Sequence, residues 1–443
     1  MSISIVMPTD DALMKYLGEA LVKYVYGDRK EITGTVSGVK VDLDGNLRIP
    51  MAFCLKLWPD LKLPSYLELP RRPIHCNTQL GIGGRDYQIP AFQTIAQLLI
   101  DTRSAFLSLQ CGGGKTEVAC KLIADFGICA GVLTDVKNIF PQWVTVLQRR
   151  TNARVCAIKS AKDIDPVKGL PDADVYVFMV TAAGKIDPKI LKRIKFLIVD
   201  EATYFMTPEK CPAMLNFSPC YTLGLCAEIR RDDGMHSFIP HFFGDQMYRR
   251  ISDKPFVINR VDTPYKPKVV NQRFRHGPDW NVVLSSLANN VQRNEDIIWL
   301  CRSLPNSKII VGTKRKDQAN YIYKRLKELG EKVETLIGND NTVNNCRILV
   351  GIYSKMGRGV DIKNLSPDWE GDVFDTCIMA LDLTKPEQFV GRVFRHSQPI
   401  VYHFVDDYST LRKHYEKKCL PWYKSRNGTV AQFAISNNGQ MAT

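Results

Sequence analysis

The residues that could do chemistry most directly form a glycine-rich run that ends in lysine and threonine. The run comprises Gly112, Gly113, Gly114, Lys115 and Thr116, within the segment LQCGGGKT. An apolar stretch (AFLSL) precedes it and an amphipathic one (EVACKLIADF) follows it. A strand, a glycine loop and a helix in this order bind phosphate through backbone N–H groups. The three glycines would cradle the β-phosphate, Lys115 would neutralise the β- and γ-phosphates, and Thr116 would bind Mg²⁺.

Two adjacent carboxylates follow a second apolar stretch, KFLIVDE, which ends in Asp200 and Glu201. In a parallel sheet, a carboxylate at the C-terminal end of a strand faces the same crevice as the phosphate loop. We therefore expect Asp200 to hold the metal and Glu201 to orient and deprotonate the attacking water. Alone, such a pair is more often a plain strand end, but the preceding phosphate loop favours the catalytic interpretation.

A pair of arginines forms the third candidate, in the segment QFVGRVFR. Arg392 and Arg395 are spaced i and i+3, so they lie on one face of a helix. Two guanidinium groups aimed across a cleft can stabilise charge that develops on the γ-phosphate. The alternative is a solvated basic helix face.

The elements that must position these groups follow an α/β pattern. The 443 residues are 45% hydrophobic and 24% charged, which excludes collagen-like and disordered classes and suggests about three domains. Short apolar strands alternate with helical segments from about residue 81 and again after about residue 305, which predicts two parallel-sheet blocks. We place them at 81–261 and 262–443, after a small α+β region at 1–75. That region has a helical pattern from Asp11 to Tyr26 and two strands flanking Asp44 to Asn46.

Charge and cysteine content limit the partners. A net charge of +14, from 60 basic and 46 acidic residues, favours a polyanion such as nucleic acid. The thirteen cysteines include no CxxC pair, which indicates reduced thiols. Cys and His residues are not clustered at the short spacing that would predict a zinc site. The sequence shows neither a signal peptide nor a stretch able to span a bilayer. We expect a cytoplasmic protein with no membrane partner.

Together these elements resemble the superfamily 2 helicases across most of residues 81–425. The segment GRDYQ, with Arg85 and Gln88, resembles the region whose glutamine reads adenine. The segment SKMGRGVD, with Gly359 and Asp361, resembles the motif that contacts nucleotide and nucleic acid. The resemblance also implies contacts with the nucleic-acid backbone from Lys137, Gln142, Trp143, Thr181, Thr313, Lys314 and Arg315.

The resemblance implies two tandem RecA-like lobes, with ATP and Mg²⁺ in use. The sequence is most similar in style to the phage UvsW-like branched-DNA helicases, and more distantly to poxviral-type helicases and RecG. It thus predicts an ATP-dependent DNA helicase or translocase that acts on forks, D-loops or four-way junctions in recombination, repair or replication. Residues 1–75 would be an accessory, DNA-binding domain, and a basic-aromatic tail would close the second lobe. We expect a monomer, in the host cytoplasm if the protein is viral.

Several departures from the family pattern leave alternatives open. Leu109 stands where the general pattern has glycine, Thr203 replaces the usual His or Asp, and Cys226-Ala227-Glu228 replaces Ser-Ala-Thr. An insertion-like stretch runs from Ser366 to Phe374. The alternatives are an RNA helicase, a duplex translocase without strand separation, a non-catalytic scaffold and the motor subunit of a restriction nuclease.

Overall fold

The computed structural model divides the chain into two compact units, Met1–Arg250 and Ile251–Thr443. It describes residues 2–5, 10–26, 31–42, 44–83, 85–110, 112–165, 167–231, 233–251, 254–271, 277–338, 343–356, 373–383 and 386–433. Within these ranges, no helix is both long enough and apolar enough to cross a membrane.

The N-terminal part of the first unit is a small α+β assembly that packs on the larger sheet beside it. Its elements are β1 (Ser2–Ile5), α1 (Asp11–Leu21), β2 (Val22–Tyr26), β3 (Ile32–Ser37), β4 (Lys40–Val41), β5 (Leu47–Pro50) and α2 (Met51–Leu57). The predicted helix is shorter than expected, because the chain turns extended at Val22, whereas the predicted hairpin forms between β4 and β5. Arg48 anchors the assembly: its buried guanidinium donates to the carbonyls of Leu215 (2.6 Å) and Asn216 (3.2 Å).

The rest of the first unit is a seven-stranded sheet, all parallel, in the order β12-β6-β11-β10-β7-β9-β8. Its strands are β6 (Ser104–Leu109), β7 (Ala130–Thr134), β8 (Val155–Ile158), β9 (Val175–Met179), β10 (Phe196–Asp200), β11 (Tyr221–Cys226) and β12 (Met247–Arg250). The helices are α3 (Gln88–Thr102), α4 (Lys115–Phe126), α5 (Ile139–Arg150), α6 (Val180–Ala183), α7 (Cys211–Met214) and α8 (Ile239–Phe243). The central strands are buried throughout, as the unbroken apolar runs predict.

The second unit is another seven-stranded parallel sheet, in the order β15-β16-β14-β17-β18-β13-β19. Its strands are β13 (Phe256–Asp262), β14 (Ile309–Thr313), β15 (Val333–Leu336), β16 (Ile348–Ile352), β17 (Thr376–Met379), β18 (Ile400–Val405) and β19 (Gly428–Phe433). The helices are α9 (Trp280–Ala288), α10 (Val291–Ser303), α11 (Lys316–Glu328), α12 (Tyr353–Met356), α13 (Glu387–Val390), α14 (Ser409–His414) and α15 (Leu420–Ser425). A π-helical turn, Tyr415–Cys419, joins the last two.

The boundary between the two α/β blocks differs from the one we predicted. We placed it between residues 261 and 262, but β13 pairs with β18 and β19 of the second sheet, so the division falls after Arg250. The segment at this boundary, roughly residues 238–280, is rich in Arg, Lys and Pro, so its composition predicts a linker between the two blocks. It nevertheless contains β12, an edge strand of the first sheet, and β13, a strand of the second.

Candidate functional site

The candidate nucleotide-binding groups converge at the carboxyl edge of the first sheet. The phosphate loop follows β6, Asp200 ends β10, and β11 lies between these two strands. Because all three strands are parallel, their C-terminal ends meet at one edge, where α/β proteins bind ligands. The sequence interpretation of these motifs as one site is therefore sterically consistent within this unit.

The phosphate loop has the backbone geometry that its glycines allow. Gly112 and Gly114 have φ angles of +71° and +86°, in the left-handed region that favours glycine. A Cβ on Gly114 would lie 1.8 Å from the side-chain nitrogen Nε2 of Gln88, so with this φ angle and the Gln88 side chain in place only glycine fits there. Helix α4 begins at Lys115, and no described side chain caps its first turn. Its orphan N–H groups are available to an anion.

Gln88 lies directly beneath this loop. Its Nε2 donates to the carbonyl of Gly113 at 3.2 Å, and its Oε1 accepts from the backbone of Gly81 at 3.2 Å. The side chain is only 2% exposed. Gln88 therefore braces the phosphate loop through a direct contact that sequence spacing did not reveal. Arg85 lies three residues before it and is partly exposed.

Trp143 has a different role from the one we predicted. The predicted nucleic-acid contact is 1% exposed, and its indole Nε1 donates to Oδ2 of Asp200 at 2.8 Å. The interpretation as a nucleic-acid contact is wrong for this side chain, because the ring is in the core. Desolvation, and then the neighbouring Glu201 charge, raise the pKa of Asp200 to about 6, while Trp143 and Lys115 act in the opposite direction.

Glu201 follows Asp200 in a left-handed conformation, with φ at +51°, which is uncommon for a non-glycine residue. Its side chain lies 3.6 Å (Oε2) from the Cys226 Sγ atom at the end of β11. The same sulfur lies 3.0 Å from Oγ1 of Thr203. Thr203 and Cys226, two of the departures from the family pattern, therefore contact each other in a buried position beside the candidate base Glu201.

The donor set at this edge fits Mg²⁺, a cation that prefers oxygen ligands and keeps several waters. Each Asp200 oxygen accepts one hydrogen bond, from Trp143 or from the Glu201 backbone at 3.0 Å, and a carboxylate oxygen has a further lone pair for a cation. Thr116 lies in the first turn of α4 and adds a hydroxyl.

The arginine pair lies at the end of α13 in the second unit. The helix ends at Val390, and successive i→i+3 hydrogen bonds carry the chain onward, as from Arg392 N to Phe389 O at 3.1 Å. In a 3₁₀-type turn, residues i and i+3 eclipse, so Arg392 and Arg395 share a face although they are outside a regular α-helix. Arg392 Nε donates to the carbonyl of Met356 at 3.0 Å, and both side chains are half-buried.

The other predicted nucleic-acid contacts divide by burial. In the first unit, Lys137 follows β7, Thr181 follows β9 and both are exposed, while Gln142 is half-buried on α5. In the second unit Thr313 is fully buried and bonded to Gln318, so it offers no surface, and that prediction is wrong. Lys314 and Arg315 are partly exposed. Partial burial lowers the pKa of Lys314, and the Arg315 guanidinium donates to Oδ1 of Asn281. Gly359 and Asp361 lie outside the described residues.

Tyr87 and Arg250 form a contact that the sequence interpretation missed. The Arg250 guanidinium stacks 3.9 Å from the centre of the Tyr87 ring, next to Gln88. Tyr248 Oη donates to the Tyr87 carbonyl at 3.4 Å. Only the pairing of the edge strand β12 with β6 brings residue 250 to this loop. The available signal was the aromatic residue adjacent to Gln88.

Comparison with known proteins agrees with this architecture. A family model described as "Type III restriction enzyme, res subunit" matches residues 81–231. The provisionally named helicase 161L of Invertebrate iridescent virus 6 is 27% identical over 386 residues, covering 79% of this chain and 83% of its own. The provisionally named helicase 055L of Frog virus 3 is 29% identical over 331 residues, covering 71% and 72%.

Among solved structures, S. cerevisiae Dbp5 bound to RNA and ADP BeF3 matches with a TM-score of 0.52 and 13% identity, over 79% of this chain and 92% of Dbp5. At this identity the likeness concerns the fold, which is that of two tandem RecA-like sheets. The family resemblance implies ATP hydrolysis and nucleic-acid binding. In its motifs, its viral relatives and its two parallel sheets, this chain resembles the superfamily 2 helicases.

Proposed function

We propose that this protein is an ATP-dependent DNA helicase or translocase that acts on branched DNA. The observation that carries the ATPase part is the cluster at the carboxyl edge of the first sheet. An uncapped helix start, a lysine, a buried aspartate and a strained glutamate converge there. This combination binds a nucleoside triphosphate and activates water beside it.

Each residue has a role in this proposal. The loop N–H groups and Lys115 bind the phosphates, and Asp200 with Thr116 holds Mg²⁺, which neutralises phosphate charge when bound. Glu201 accepts a proton from the attacking water. Arg392 and Arg395 supply positive charge to the γ-phosphate, as the family resemblance implies.

Replacing the proposed base tests the ATPase assignment. Glu201→Gln keeps the shape of the side chain but removes its basicity, so DNA-stimulated ATP hydrolysis should fall roughly 100-fold or more. Glu209→Gln is the matched control, because Glu209 is exposed in a nearby turn. A wild-type rate in Glu201→Gln would reject the assigned base.

DNA contact in the first unit is proposed for Lys137 and Thr181. These exposed side chains follow β7, the neighbour of β10, and β9, the next strand beyond it, at the same sheet edge. A lysine and a hydroxyl contact phosphate without reading bases, so binding should be salt-sensitive and insensitive to sequence. Measuring ATPase stimulation by single-stranded DNA, duplex, four-way junction and RNA tests the substrate. We expect the junction to stimulate most; stronger stimulation by RNA would make this an RNA helicase.

The accessory region supports the branched-DNA part through exposed aromatic side chains. Tyr24 and Tyr26 lie on one face of β2 and are 51% and 61% exposed. Exposed aromatic rings on a sheet can stack with unpaired bases, and forks and D-loops contain such bases. Deleting residues 1–75 would uncover the core around Val36 and the Arg48 anchor, so point variants are the better test.

The double variant Tyr24→Ala/Tyr26→Ala should weaken binding to forked DNA with single-stranded arms roughly tenfold while basal ATPase is unchanged. Tyr24→Phe/Tyr26→Phe keeps both rings and should bind normally. Equal affinity for forked DNA in the alanine variant and the wild type would remove this face from DNA recognition.

A further inference from the structure

A cluster of metal-binding side chain types lies at the carboxyl edge of the second sheet, apart from every residue used above. Asp382 follows β17, while His414 ends α14 and Cys419 ends the π-helical turn. The potential ligand atoms of these three residues lie within 4.8 Å of one another. Asp382 Oδ1 lies 2.9 Å from His414 Nδ1, and Cys419 Sγ lies 3.9 Å from the same nitrogen.

The π-helical turn is what brings the histidine and the cysteine together. Cys419 lies five positions after His414 in the sequence. In a regular α-helix with 3.6 residues per turn, this spacing would turn the two side chains about 140° apart. The i→i+5 repeat of a π-helix places them on one side instead. Single π-turns within helices are rare and occur frequently at functional sites.

His403 lies beside this cluster and supports the carboxylate. Its Nδ1 lies 2.9 Å from Tyr423 Oη, and its Nε2 lies 3.8 Å from Asp382 Oδ1. With its proton on Nε2, the ring points an N–H group at Asp382 and favours the ionised carboxylate. Outer-shell groups orient metal ligands in this way.

We propose that Asp382, His414 and Cys419 bind a divalent transition metal, with the fourth position open to water. One sulfur, one nitrogen and one oxygen are donor types that zinc takes, with bonds of about 2.0–2.3 Å. The ion would cross-link the loop after β17 and the C-terminal helices.

Metal binding requires defined proton changes. The Cys419 thiol is buried, and only its thiolate binds a metal, so the metal must displace its proton. On His414, the proton moves from Nδ1 to Nε2, a buried nitrogen with no hydrogen-bond partner among the described residues. One proton is released for each ion bound.

Metal content of the full-length, tag-free protein tests the proposal. After purification with zinc and exhaustive dialysis, wild type should retain about one zinc ion per chain. Cobalt(II) should give a thiolate-to-metal charge-transfer band. Cys419→Ser and His414→Gln should lose both signals. Cys301→Ser is the matched control, because Cys301 is equally buried in α10 but belongs to another core cluster, and it should retain both.

If the variants do not fold, measurements on the wild-type protein still test the proposal. Zinc should raise its melting temperature and a chelator should reverse the rise. Absence of stoichiometric zinc together with absence of a thermal shift would overturn the proposal. Retention of the cobalt band in Cys419→Ser would also overturn it. Neither result bears on the ATPase assignment, which depends on the first sheet.

Discussion

Asp200 ends a central strand of the first parallel sheet, and Asp382 follows a central strand of the second. Their surroundings nevertheless shift the two carboxyl pKa values in opposite directions. Burial disfavours the ionised form of both. Beside Asp200 the Glu201 charge adds to burial, and the pKa rises to about 6. Beside Asp382 burial also acts to raise the pKa, but the hydrogen bonds and charges of His403 and His414 outweigh it and hold the pKa well below its usual range.

The comparison shows that position at the carboxyl edge does not by itself determine what a carboxylate does. Asp200 has one indole and one backbone N–H as donors, so its charge is incompletely balanced until a cation binds. Asp382 already has two imidazoles beside it. The first arrangement fits an ion that arrives with its nucleotide, whereas the second holds its carboxylate beside the histidine and the thiol of the proposed metal site.

Asp200→Asn should separate activity from stability most strongly. ATP hydrolysis should fall roughly 100-fold or more, because the proposed metal ligand loses its charge. The folded-state pKa lies above the unfolded value of 3.8, so ionised Asp200 destabilises the fold as the pH rises through about 6. At pH 7, without Mg²⁺, relief of this destabilisation should offset the loss of one accepted hydrogen bond, since a carboxamide has a single acceptor oxygen, so the free energy of unfolding should not fall. A clear loss of stability in urea unfolding would contradict this account.

Asp382→Asn should have the opposite effect on stability. Its folded-state pKa is depressed, so the ionised group stabilises the fold above the unfolded pKa, and this contribution is lost as the pH falls through the folded pKa. Removing a mostly buried partner should lower the free energy of unfolding by roughly 3 kcal/mol at neutral pH. Urea unfolding in a chelator measures this, with the exposed Asp317→Asn as control. Unchanged stability would show that the histidines do not balance Asp382.

Trp143→Phe tests whether the indole positions Asp200 or contacts DNA. Loss of the Nε1 donor should raise the Mg²⁺ concentration needed for half-maximal ATPase roughly tenfold. It should also raise the pKa of Asp200 further, since this hydrogen bond acts to lower it. DNA affinity should not change, because the ring is buried. Weaker DNA binding with a normal Mg²⁺ requirement would restore the nucleic-acid interpretation.

Cys226→Ser should have the smallest effect on ATPase, in contrast to the loss of metal expected for Cys419→Ser. A serine hydroxyl can keep the contacts with Thr203 and Glu201, so ATPase should stay within about twofold of wild type. Cys226→Ala removes these contacts and should lower the rate further. An ATPase loss in the serine variant as large as in the alanine variant would mean that the sulfur itself matters.

Much of the fold was predictable because each strand carries its own pattern. The apolar stretch AFLSL and the apolar run within KFLIVDE lie within about a residue of the observed bounds of β6 and β10. The phosphate loop was equally local, because its glycines, lysine and following helix are contiguous. The prediction of a helix from Asp11 to Tyr26 was wrong beyond Leu21, because the spacing of apolar residues there did not distinguish α1 from the strand β2.

The sequence by itself determined the two α/β blocks, the phosphate loop and the carboxylate pair, because these depend on short-range order along the chain. The tertiary structure alone decided the role of Trp143, which packs against a residue 57 positions away. It also joined Asp382, His403, His414 and Cys419, whose spacing matches no short-range zinc pattern. Only parallel strand pairing and a π-helical turn bring such distant donors together, and neither can be inferred from local residue order.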